Sequence, residues 1–209
     1  MLQTLLLFDI DGTLIKGARS ARTAFARAIQ SCLGVTVDLS TLNSAGKTDY
    51  RIMQEIFEQH RLPADRVDWD ALRASFLHHI EAAVRLEPGE PCPGVRPLLE
   101  TLIREPVMTV ALGTGNLKSS AYAKLAAHGL DGYFATGGFG DDSIDRNAII
   151  TVGIARAEAH RGVRFDRVVV VGDTPYDIAS AQANRVHSLA VATGPFDVES
   201  LRAAGATVV

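Results

Sequence analysis

The 209-residue chain is 47% hydrophobic and 22% charged, with a formal net charge of -3, the balance of an ordinary globular protein. A chain of this length buries roughly 70% of its unfolded surface, so no disulfide or metal staple is required. The absence of a basic tract argues against nucleic acid and anionic membrane as partners, and Cys32 and Cys92 stand in no metal-like or redox-like spacing. Both read as buried thiols or incidental residues of a cytosolic protein.

The first element is a strand, Leu5 to Phe8. The apolar run that contains it follows no basic region and is far too short for a signal sequence or a membrane span, so the expected location is the cytoplasm. After Ile15 the pattern turns helical for about seventy residues. Phe25, Ile29, Cys32 and Leu33 recur at helical spacing, with Gly34 as a C-terminal stop. Ile52, Met53, Ile56 and Phe57 mark a second helix, entered at Thr48 or Asp49 and stopped by Pro63. Leu72, Phe76, Ile80 and Val84 mark a third, capped by Asp68 or Asp70. The stretch EPGEPCPG, residues 87–94, then breaks the pattern.

Beyond it, helices and strands alternate. Expected are a helix over 95–104, a strand over 107–112 and a helix over 117–128 ending at Gly129. A short strand at 133–136 follows, then a helix at 147–161, a strand at 168–171, a helix at 175–183, a strand at 189–192, a helix near 198–204 and a last strand at 207–209. Nearly all-apolar strands alternating with helices indicate a doubly wound, mostly parallel α/β sheet covered on both faces. The helical block is then an insertion. The expected organisation is a catalytic core of residues 1–15 and 92–209 and a helical cap of residues 16–91.

Three strands end in polar clusters that meet at one edge of such a sheet, where ligands of doubly wound folds bind. In DIDGT (9–13), Asp and Gly suit a turn or a helix cap. However, Asp9 directly follows four apolar residues, where an unpaired charge is costly, and a metal ion or a transferred phosphoryl group would account for it. Gly12 and Thr13 add flexible backbone and a hydroxyl suited to phosphate. In GDTPYD (172–177), Thr174, Pro175 and Asp177 satisfy a capping box. Asp173 is left over, a second strand-end carboxylate of the kind Mg²⁺ requires. In GTGN (113–116), Thr114, Gly115 and Asn116 either open a helix as an anion site or provide a plain N-cap.

Together these clusters resemble the haloacid dehalogenase superfamily, in particular its phosphatases with a helical cap inserted after the first strand. DIDGT matches the signature Asp-x-Asp-Gly-Thr, GDTPYD matches the acidic element, and the likeness spans essentially the whole chain. The resemblance implies Asp9 as the nucleophile that becomes an aspartyl-phosphate, Asp11 as acid and then base, and Thr114 as a phosphoryl contact, with Gly115 and Asn116 beside it. It implies Mg²⁺ held by the Asp9 carboxylate, the Asp11 main-chain carbonyl and Asp173, with Asp177 as an outer partner.

One departure concerns the basic residue, usually lysine, that the family places before the helix preceding the GD strand. None of the four lysines lies there. Arg146 stands at about that place and takes the charge-neutralising role, with Lys118 in reserve. In SAGKTDY (44–50), Lys47 and Thr48 are candidates to reach the leaving group from the cap, Thr48 serving equally well as a plain N-cap. The expected activity is hydrolysis of a small phosphorylated metabolite, phosphoglycolate- or sugar-phosphate-like. Alternatives are a phosphotransferase or mutase, a phosphonate-cleaving relative using Lys47, and, from a different class, a receiver-like or silent phospho-ligand-binding module. The sequence leaves monomer and homodimer undecided.

Overall fold

In the computed structural model, which describes residues 2–209, the first apolar run forms β1 (Thr4–Phe8), the central strand of a five-stranded sheet. β4 (Met108–Gly113) and β6 (Arg167–Gly172) flank it in parallel, Thr4 pairing with Met108 on one side and Arg167 on the other. β5 (Gly137–Gly138) and β7 (His187–Ala190) are the edges, and the order is β5-β4-β1-β6-β7. After β1 the chain winds outward to β5, then crosses to β6 and winds outward again. The reversal falls at β1, which makes its C-terminal end the topological switch point of the sheet.

Side chains alternate along each strand, and both faces are dry. Leu5, Leu7, Ala111 and Val170 pack against α6 (Arg146–Arg161) and α7 (Pro175–Ala183). Phe8, Val110, Leu112 and Val171 pack against α4 (Val95–Leu102) and α5 (Lys118–Ala126). Two covered faces explain why these strands read as apolar runs rather than as alternating ones. α8 (Val198–Ala203) closes the β7 side through Leu201, which meets Ile178 and Ala190.

Three helices, α1 (Ser20–Leu33), α2 (Asp49–Gln59) and α3 (Trp69–Leu86), build a second apolar cluster, which Leu117 and Ala123 of the sheet layer join. At its centre Phe25 and Phe76 stack with ring centroids 4.3 Å apart and planes 17° from parallel. The chain enters this layer through β2 (Ile15–Lys16) and leaves through β3 (Glu90–Pro91), which pair antiparallel as a narrow ribbon. Thr48 caps α2 by accepting from the Arg51 amide, Asp68 caps α3, and Gly34 ends α1 in the left-handed conformation at φ 69°.

Several expected elements differ. The segment 133–136 is no strand: a 3-10 turn covers Asp131–Tyr133, and Phe134 is buried under the sheet. Pairing begins instead at Gly137–Gly138, whose signal is invisible to β-propensity. A Cβ at Gly137 would stand 2.7 Å from Leu112 Cβ, and one at Gly138 would stand 2.0 Å from the Ile149 carbonyl oxygen, so the edge is made by close backbone approach. The expected last strand is reduced to one bridge, Val208 to Leu189. The 189–192 strand lies two residues earlier, and α2 ends at Gln59, before Pro63 acts. Cys32 is exposed, whereas Cys92 is buried. Among the described residues, no helix is long and apolar enough to cross a membrane.

Candidate active site

Asp9 is the first residue past β1. Its amide donates to the Val171 carbonyl at 2.9 Å, extending the ladder by one residue, so its carboxyl is fixed at the sheet edge and only 4% exposed. Asp173, one residue past β6, is buried beside it and accepts from the Thr13 hydroxyl at 3.1 Å. The turn between Asp9 and Thr13 closes over this pair. A Cβ on Gly12, at φ +88°, would lie 2.2 Å from an Asp173 oxygen, so only glycine admits the approach.

Asp177 makes the capping box with Thr174, accepting from its amide at 3.0 Å and its hydroxyl at 2.8 Å. It also pairs with Arg146, whose Nη2 lies 3.2 Å from Asp9 Oδ2. Arg146 opens α6 behind the Asp145 cap and is 8% exposed, so its guanidinium bridges two buried carboxylates. One oxygen from each of Asp9, Asp173 and Asp177 falls within a group no wider than 4.8 Å. Burial pushes Asp9 up to about 6, against the pull of Arg146. Burial, with the Asp9 and Asp177 charges, pushes Asp173 up to about 8. Two hard-oxygen acids held above their ordinary range form a cluster short of positive charge, and the donor set fits a divalent cation.

Asp11 faces away from this cluster. Its carboxylate, 44% exposed, accepts from Lys124 Nζ at 2.8 and 2.7 Å and from Asn116 Nδ2 at 2.8 Å. Partial burial disfavours its charge, but Lys124 and then Asn116 outweigh it and hold the carboxyl below the ordinary range. The third Lys124 hydrogen goes to Asn116 Oδ1 at 2.6 Å. That fixes the amide orientation, since Nδ2 must then serve Asp11 and Thr114 Oγ1, the latter at 2.9 Å. The Thr114 hydroxyl, accepting from Asn116, keeps its proton for a ligand.

The helical layer is clasped to this edge. The Asp49 amide donates to the Gly115 carbonyl at 2.9 Å, and the Leu117 amide donates to Asp49 Oδ2 at 2.8 Å. Burial pushes Asp49 up to about 7, with Lys124 and the Leu117 amide pulling the other way. A cavity of about 520 Å³ lies between layer and sheet and brings together Asp9, Asp11, Asp173, Arg146 and the 114–116 turn, with Lys47 opposite. Lys47 reaches the wall but its Nζ is tied to Glu55 at 2.6 Å and to the Asn43 carbonyl at 2.9 Å. Four candidates lie outside it: Asp177 stands behind it on Arg146, Thr13 serves Asp173, Thr48 is a buried cap, and Lys118 Nζ sits 5.8 Å over the Phe139 ring.

Lys124 and the carboxylate of Asp49 were missed as site residues. Lys124 repeats on the buried face of α5, four residues after Ser120 and three after Ala121; a lysine on an apolar stripe was the available signal. Asp49 is also a plain first-turn acid, and nothing in its spacing shows that it reaches across to Leu117.

Fold and site together define a doubly wound α/β hydrolase with a carboxylate centre at the switch point. A family model described as haloacid dehalogenase-like hydrolase matches residues 4–184. The chain belongs to that family. Comparison of the sequence with curated proteins finds no match. Among solved structures, CbbY from Rhodobacter sphaeroides in complex with phosphate is similar with a TM-score of 0.72 at 19% identity, over 100% of this chain and 93% of that one. A hydrolase from Pseudomonas syringae gives 0.70 at 21% identity, over 99% and 93%. A predicted phosphatase from Clostridium acetobutylicum gives 0.70 at 20%, over 100% and 93%. Likenesses at such identities establish the shared fold.

Proposed function

We propose that the protein is a Mg²⁺-dependent phosphomonoesterase that acts on a small phosphorylated metabolite through an aspartyl-phosphate. The observation that carries this reading is the placement of Asp9: a buried strand-end carboxylate facing a cavity it shares with Asp173, Arg146 and Thr114. An Asp9 oxygen attacks phosphorus, forming the acyl phosphate while the bond to the leaving oxygen breaks. Asp11 delivers the proton that the leaving oxygen needs. Because Lys124 and Asn116 keep Asp11 ionised at rest, that proton is taken from the phosphate monoanion. Water then attacks the phosphoryl group, Asp11 accepts its proton and passes it to the departing phosphate, and Asp9 is released with Asp11 ionised again.

Arg146 and the Thr114 hydroxyl stabilise the phosphoryl oxygens throughout. Mg²⁺ held by the Asp9 and Asp173 carboxylates and the Asp11 carbonyl, with Asp177 behind them, would supply the remaining positive charge. Helices α1 to α3 act as the cap. They join the sheet layer by the thin β2–β3 ribbon and rest on it through Leu117 and Ala123, and their cover over the cavity keeps bulk solvent, other than the attacking water, from the acyl phosphate. The complex of a CbbY mutant from R. sphaeroides with xylulose-1,5-bisphosphate supports a small sugar phosphate as substrate class.

The test is release of inorganic phosphate from 4-nitrophenyl phosphate, with Mg²⁺ or with EDTA, by the wild type and Asp9→Asn. Turnover is expected only in the wild type with Mg²⁺. Activity that survives Asp9→Asn or EDTA would remove the mechanism, and nitrophenol formed without free phosphate would favour phosphoryl transfer.

A further inference from the structure

We infer that the substrate carries a second anionic group at the end remote from the reacting phosphate, and that Arg19 and Arg22 receive it. The inference rests on the phosphomonoesterase reading and narrows its substrate. Six basic residues line the cavity: Lys16, Arg19, Arg22, Lys47, Lys124 and Arg146. Four have carboxylate partners. Lys16 pairs with Glu90 at 3.2 Å, Lys47 with Glu55 at 2.6 Å, Lys124 with Asp11 at 2.7 Å and Arg146 with Asp9 at 3.2 Å. Among the described residues, neither Arg19 nor Arg22 has a carboxylate within 4.0 Å.

Arg22 is half-buried and held in place, donating through Nη1 to the Ser40 carbonyl at 3.3 Å and through Nη2 to the Leu42 carbonyl at 2.8 Å. Neutral carbonyls fix the guanidinium without cancelling its charge, and Nε with two further N–H groups remains to donate. Arg19, the residue just before α1, is exposed at the cavity rim three positions before Arg22. Two like charges there repel each other, and the first turn of α1 contains no acid to offset them. A carboxylate or phosphate in the cavity would neutralise both and match the planar fork of arginine. The phosphoryl subsite and this basic wall belong to one cavity of about 520 Å³, the size that encloses a small metabolite.

Calorimetric binding of three non-hydrolysable probes, with Mg²⁺ present, tests this without turnover. They are 3-phosphonopropanoate, ethylene-1,2-diphosphonate and the neutral-ended propylphosphonate. The wild type is expected to prefer at least one anionic-ended probe about tenfold or more over propylphosphonate, the stronger of the two identifying carboxylate or phosphate as the natural group. In Arg19→Gln/Arg22→Gln the ratio is expected to fall to about one. Arg27→Gln/Arg85→Gln removes the same charge from exposed positions outside the cavity and is expected to keep the preference. No preference in the wild type, or a preference that survives Arg19→Gln/Arg22→Gln or is lost equally in the control, overturns the inference. Failure to hydrolyse 4-nitrophenyl phosphate would instead strike the phosphatase reading and leave the binding ratios legible.

Discussion

Stripped of divalent cations, the protein should lose stability as pH rises, and added Mg²⁺ should restore most of the loss. Asp173 rises from 3.8 to about 8 and Asp9 from 3.8 to about 6 in the folded chain. A carboxyl raised by folding makes the native state bind more protons than the unfolded chain. Its penalty is therefore absent below about pH 4, grows through the interval to pH 8 and is complete above it. Taken singly, the two shifts correspond to about 6 and about 3 kcal/mol. About 1.5 kcal/mol of each penalty is already present at pH 5, so a combined loss of about 5–6 kcal/mol is expected between pH 5 and pH 9. At about 2–4 °C per kcal/mol for a chain of this size, the melting temperature should fall by about 10–25 °C between pH 5 and pH 9 in EDTA. Mg²⁺ should raise it little at pH 5 and by most of that amount at pH 9. A smaller part should survive Mg²⁺, because Asp49, pushed up to about 7, faces Leu117 rather than the three-acid group. Thermal melts by circular dichroism across this grid decide the matter. A melting temperature flat with pH in EDTA, or a fall that Mg²⁺ leaves untouched at pH 9, would refute the reasoning.

Gly194→Ala would put a Cβ 1.7 Å from Asp173 Oδ2, so the carboxyl must swing away; Mg²⁺ affinity by calorimetry should drop at least tenfold while the far-ultraviolet spectrum is kept. Lys124→Met frees the half-exposed Asp11 to water but strands Asn116 Oδ1, at an expected cost of about 2 kcal/mol read from the urea midpoint at constant slope. Turnover of 4-nitrophenyl phosphate should fall with it, and unchanged turnover would mean that Lys124 serves stability alone. Phe76→Ala removes one ring of the stacked pair at the centre of the helical layer, which should cost about 3–5 kcal/mol; a loss under 1 kcal/mol would show that the layer is loosely packed.

The chain's own pattern settled the sheet and pointed to the strand-end acids at its edge. Strands reading LLLF, VAL and VVVV are dry on both faces and therefore lie in a covered parallel sheet, and Asp9 and Asp173 follow such runs at positions where an unpaired charge is costly. Local rules likewise put the end of α1 at Gly34 and narrowed the starts of α2 to Thr48 or Asp49 and of α3 to Asp68 or Asp70, because caps are satisfied within a few residues. Edge elements escaped, since Gly137–Gly138 pairs through backbone proximity to Leu112 and carries no propensity signal.

What the tertiary structure alone decided is which charge answers which. Lys124 lies 113 positions from Asp11, and Arg146 lies 31 from Asp177 and bridges it to Asp9. Lys118, equally basic in the sequence, turns to Phe139 instead. Charge pairing depends on distances of a few ångströms between residues far apart in the chain, and helical periodicity says only which face a residue takes, not what lies across from it. Arg19 and Arg22 look like ordinary surface arginines in the sequence; only the folded cavity leaves them as its two basic residues without a carboxylate.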